Sequence, residues 1–192
     1  MANINSQFGF RPVKKVGAGY NASGSNEYVI ANNETNAIYQ GDPVVLNANG
    51  SISVGSSAGA ELIGIFNGCF YTDPTTQKPT FLNYYPGAVL ADDIVAYVFD
   101  DPSTLFEVKV DDTNGGQAQV GSNANIATYA AGSNTSGISS VALDGDSFTT
   151  NAAANFRVVS LSTDPDNNDY AAANASIIVK INKHSLSDTT GI

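Results

Sequence analysis

Ser57 stands in Gly55-Ser56-Ser57-Ala58-Gly59, which spells the G-x-S-x-G pattern of a nucleophile elbow. That chemistry needs a sharp strand-to-helix turn and a histidine base beside the serine. Here the flanks read as short strands, and the only histidine is His184. The pentapeptide therefore reads as a Gly/Ser turn, and a hydrolase using Ser57 is the enzymatic alternative. Gly17-Ala18-Gly19 with Ala22 mimics a dinucleotide fingerprint, but no strand–helix–strand unit surrounds it to present a helix N-terminus to a pyrophosphate.

Asp164, Asp166 and Asn168 have the spacing of the first ligands of a calcium loop. Asp169 occupies the position of the turn glycine and Ala175 that of the bidentate glutamate, which excludes an EF-hand. A solvated turn is the default, beside a looser calcium site between acidic turns. One cysteine, Cys69, permits no intrachain disulfide, and one His with one Cys builds no Cys/His metal centre. Cys69 lies in the apolar run LIGIFNGCF and reads as a buried, inert thiol. Asp92-Asp93 and Asp100-Asp101 sit at strand ends, where Asp is favoured for local hydrogen bonding. The expectation is a chain with no catalytic residues, no cofactor and no metal.

The elements around these residues are strands. In Ala37–Val54, Val44, Val45 and Leu46 are answered at alternate positions by Ile52 and Val54, across a turn holding Asn49-Gly50. Further strands are expected at 27–30, 61–71, 81–85, 93–99, 105–110, 156–161 and 176–181. Gly64 and Gly68 suggest bulges or close backbone contact. In LFEVKV, Phe106, Val108 and Val110 share one face, and Glu107 and Lys109 are expected to face water. Residues 121–154 are rich in Gly, Ser, Asn and Ala and read as loops with weak edge strands. No stretch sustains a helical period, so the fold class is all-β: a single antiparallel barrel or sandwich over 25–192, with little helix.

Residues 1–24 differ from the rest. Arg11, Lys14 and Lys15 fall before the first acidic residue, Glu27, with Phe8 and Phe10 beside them. Two readings stand: an extended N-terminal arm that docks elsewhere, or a first strand, FRPVKKV, on the edge of its own sheet. Tyr84 and Tyr85 close an aromatic stretch, FLNYY, that suits either a partner contact or stacking within the sheet. Eighteen acidic against eight basic residues give a net charge of −10, which argues against nucleic acid and anionic membranes as partners. The N-terminal sequence has no apolar signal core, so synthesis and folding are expected in a cytoplasm.

Several islands occur in order: FGFRPVKKVGAG, QGDPVVL, LFEVKVDD, VGSNANIAT, FRVVSLSTDPDNN and IIVKINKH. In this order they resemble the head decoration (cement) proteins of tailed bacteriophages. The turn DPDNND followed by DYAAANAS departs from that pattern. The resemblance implies a jelly-roll or β-tulip-like barrel on the virion, at the capsid exterior, made in the bacterial host. Its implied partners are the major capsid protein and further copies of itself as a dimer or trimer. Phe8, Phe10, Arg11, Lys14 and Lys15 are then the expected capsid-engaging residues, with Tyr84 and Tyr85 as further contacts. The alternative is a phage tail or fibre β-domain binding host glycan through Tyr84 and Tyr85.

Overall fold

Apolar alternation punctuated by Gly, Pro, Asn and Asp builds short strands joined by tight turns. The structure, a computed structural model, describes residues 3–17 and 24–187. The remaining parts of the N-terminal arm (1–2 and 18–23) and of the C-terminal tail (188–192) lie outside the described residues. In chain order the strands are β1 Arg11–Lys15, β2 Asn26–Ile30, β3 Pro43–Leu46, β4 Ser51–Val54, β5 Gly64–Thr72 and β6 Pro79–Leu82. They continue with β7 Val95–Phe99, β8 Thr104–Lys109, β9 Asn123–Ala124, β10 Phe156–Leu161 and β11 Ser176–Ile181. One short 3-10 turn, Gln117–Gln119, is the only helical element among the described residues. The chain is all-β.

The hairpin of β3 and β4 forms as its sequence requires. Val44 pairs with Val54 and Leu46 with Ile52, and Gly50 takes the positive φ of 80° that its turn demands. The chain crosses from β2 to β3 before reversing, so β4 runs parallel to β2. That pair makes the sheet mixed, where a purely antiparallel one was expected. The pairing continues β4–β2–β7–β5, and β5 returns to β3 through Pro43↔Ile65 and Val44↔Gly64. Five strands thus close a small barrel, and β6 extends it along the far half of β5. Ile30, Ile38, Val44, Phe66, Cys69 and Tyr85 fill its interior.

The inward set on β5 is Phe66, Cys69 and Tyr71, a spacing that strict alternation cannot place on one face. A bulge between Phe66 and Gly68 supplies the extra residue. Gly68 sits there at φ 142°, and a Cβ on it would come within 2.9 Å of the Leu82 carbonyl oxygen. Gly64 marks a second close approach, since its Cβ would lie 2.4 Å from the Phe99 carbonyl oxygen.

The remaining strands form an antiparallel sheet ordered β1-β8-β11-β10-β9. Its inner face, with Phe106, Val108, Phe156, Ile177 and Val179, packs on Leu62, Ile65 and Phe99 of the barrel. Residues 121–154 are loops and isolated bridges around β9, as expected, and they send Ile126, Val141 and Leu143 into this same cluster. Glu107 and Lys109 do not face water. They are 5% and 2% exposed, because residues 3–10 and the 162–174 turn cover the sheet's other face.

Candidate interaction surface at the N-terminal segment

Of the two readings of residues 1–24, the described part follows the strand. Arg11–Lys15 is β1, an edge strand paired antiparallel to β8. Ahead of it, residues 3–10 cross the sheet as a strap. The Asn3 side-chain amide donates to the carbonyls of Asp169 (2.8 Å) and Ala173 (2.9 Å) and accepts from the Asp169 N–H (3.1 Å). The Ile4 N–H donates to Asn167 Oδ1, and Gln7 donates to Asn174. Lys109 Nζ reaches up from β8 to donate to the Ile4 carbonyl and to Asn167 Oδ1. Burial pulls the Lys109 ammonium below the ordinary lysine range, while Asp164 and Glu107 pull it back up. Glu107 accepts from Ser162 (2.6 Å) and from the Arg11 guanidinium.

The proposed arm residues separate sharply in this setting. Phe10 is 1% exposed and stacks on Phe156 with ring centroids 4.2 Å apart. It belongs to the protein's own core, which corrects its expected role as a partner anchor. The preceding Gly9 allows this entry: at φ 67° its missing Cβ would clash with the Gly41 carbonyl at 2.5 Å. Phe8 is half-buried, with the Arg11 guanidinium 4.8 Å and the Lys109 ammonium 5.8 Å from its ring centroid.

Arg11 is exposed but bound to a buried carboxylate, and removing it would leave Glu107 without its ionic partner. Lys15 pairs with Asp101 at 2.5 Å with both side chains more than a third exposed, a pair worth ~0–1 kcal/mol. Lys15 can therefore leave its partner at little cost, and Arg11 cannot. Lys14 is half-buried on the same strand. Between this strand and the barrel lies a cleft of about 240 Å³, walled by Phe8, Pro12 and Ile138 with the amides of Gln40 and Asn67.

Tyr85 is fully buried in the barrel, where its hydroxyl donates to the Glu34 carbonyl and accepts from the Val89 N–H. That corrects its expected role as a partner contact and leaves packing within the protein. Tyr84 is half-buried and stacks on Tyr39 with centroids 5.8 Å apart. FLNYY itself is shorter as a strand than expected, because β6 ends at Leu82 and Tyr85 returns to bridge Ile38.

No known protein family, curated protein or solved structure matches this chain.

The residues first singled out for chemistry do not assemble. Ser57 is exposed in a turn, whereas His184 is buried, with Nδ1 accepting the Leu186 N–H and Nε2 unpartnered among the described residues. No hydrogen bond joins the two. Cys69 lies in the barrel interior, where burial pushes its thiol up to about 12. Asp164 is occupied in its own turn, accepting from Asn167 and from the Asp166 N–H. No cluster of three or more candidate metal ligands occurs among the described residues.

One buried group escaped the sequence reading. Asp42, fully buried, accepts the Tyr39 N–H (2.9 Å) and the Tyr129 hydroxyl (3.0 Å) on Oδ2. Burial pushes its carboxyl up to about 6, and those hydrogen bonds restrain the rise. The Gly41-Asp42-Pro43 turn signal announced a bend, but the tyrosine 87 positions away that covers it has no local signature.

Proposed function

We propose that this is a non-enzymatic structural protein that binds the outer surface of a tailed-phage capsid and cements neighbouring capsomers. The observation that carries the reading is the ordered series of islands from FGFRPVKKVGAG to IIVKINKH, which resembles head decoration proteins along nearly the whole chain. The major capsid protein is the proposed partner, together with further copies of this chain as a dimer or trimer. A stiff β scaffold with a hydrogen-bonding Asn, Ser and Thr surface supports the reading, because many modest contacts repeated over a shell accumulate at high effective concentration. Of the residues first expected to engage the capsid, Phe8, Lys14 and Lys15 are the ones this reading retains as candidate contacts. The glycan-binding alternative has lost its motive, since Tyr85 is inside the barrel and Tyr84 is stacked on Tyr39.

The test is sedimentation of the purified protein with undecorated mature capsids of its phage, counting bound copies per shell. Saturable binding at a multiple set by icosahedral symmetry is expected. Absence of binding by a normally folded protein rejects the reading.

A further inference from the structure

The barrel's outer surface carries an apolar row that no other segment covers among the described residues. Val29 on β2 pairs with Val95 on β7, Val95 with Phe70 on β5, and Phe70 with Phe81 on β6. Tyr28, Ala96, Cys69 and Leu82, the neighbours of these residues along the same strands, face the interior instead.

 Strand alternation therefore turns Val29, Val95, Phe70 and Phe81 to the outside together. The row crosses four strands, ~14 Å at ordinary strand spacing. Its two ends are the most open, Val29 at 55% and Phe81 at 62% exposure. Tyr97 lies alongside, its ring 6.0 Å from that of Phe81 and tilted. Adjoining apolar side chains in register on an open sheet face mark an interaction site more often than scattered ones do.

Charge identifies the occupant. Glu27 shares this face beside Tyr97, and Asp73, Asp92 and Asp93 lie at the strand ends that bound the row. Between residues 24 and 100 the only basic residue is Lys78. A second copy, itself carrying a net charge of −10, is repelled as a whole from this acidic rim. We infer that this row is the face that docks on the capsid, against a protein surface with apolar side chains at its centre and Lys or Arg around them. This assignment rests on the capsid-binding reading above. It moves the main anchor from the N-terminal strap to the barrel, with Val29 and Phe81 as its most exposed apolar contacts.

The experiment compares the wild type with Val29→Thr/Phe81→Thr and with Glu27→Lys for saturable binding to undecorated capsids. Threonine keeps strand propensity at both exposed sites, and thermal melts followed by circular dichroism verify folding. Binding at least tenfold weaker in the double variant, and weakened also in Glu27→Lys, supports the assignment. Wild-type binding that the double variant matches overturns the face and leaves the capsid reading standing. A wild type that does not bind overturns both. Self-association of the free wild type that is lost in the double variant makes a second copy the occupant and overturns the proposed partner.

Discussion

Asp42 holds three parts of the chain at one carboxylate: the approach to β3, the Tyr39 backbone and the Tyr129 loop. Its folded value of about 6 lies above the ordinary 3.8, so the folded state binds this proton more tightly than the unfolded chain does. The resulting stabilisation is complete below pH ~4 and is lost as pH rises through about 6. Asp42→Asn removes the titration, so the stability difference between wild type and variant should move against the wild type by up to ~3 kcal/mol from pH 4 to 7. Urea unfolding of both proteins across that range checks it, and a flat difference rejects it. Phe10 sets a second residue-level expectation. As a fully buried ring stacked on Phe156, its replacement by Ala should cost ~3–5 kcal/mol, measured as a lower denaturant midpoint. A loss of capsid loading in that variant would then report unfolding, so Phe8→Ala is the cleaner probe of the strap.

Among the elements, β5 bears the greatest demand. It pairs with β7 on one edge and with both β3 and β6 on the other, and only its bulge keeps Phe66, Cys69 and Tyr71 inside the barrel. Gly68→Ala would place a side chain at φ 142° and 2.9 Å from the Leu82 carbonyl oxygen. The strained backbone alone costs ~1–3 kcal/mol. The variant should melt at lower temperature, with faster amide exchange in β6 than in β8. Uniform protection in both strands would show that the bulge tolerates a side chain. The strap is the second distinctive element: it covers the charged pair Glu107 and Lys109, which alternation alone would have left in water.

At the scale of the molecule, the sheet and the barrel share one cluster. Leu62, Ile65 and Phe99 of the barrel pack with Phe106, Phe156 and Val179 of the sheet, and loop residues Ile126 and Leu143 join them. Neither unit can open without exposing that shared apolar surface, so unfolding should be a single cooperative transition. Far-ultraviolet dichroism and tyrosine fluorescence should report coincident denaturant curves. Separated midpoints would show two independently stable units. Residues 24–100 hold eight acidic residues against Lys78 alone, so the proposed docking should weaken as salt is raised.

Strand positions, turn sites and the scarcity of helix were legible in the sequence because they follow from local rules. FRVVSL and SIIVKI became β10 and β11 over the expected residues, and Asn49-Gly50 turned the hairpin. Gly68 announced its bulge, and Cys69 its burial. Alternation also separates the two faces of a strand, but it cannot say which segment will cover either one. That choice belonged to the tertiary structure. The strap and the 162–174 turn buried Glu107 and Lys109, the stack on Phe156 claimed Phe10, and barrel closure enclosed Tyr85. The same long-range packing left Val29 and Phe81 open to water, because no other part of the described chain reaches that side of the barrel. Periodicity is a property of neighbours in sequence, whereas burial depends on residues a hundred positions away.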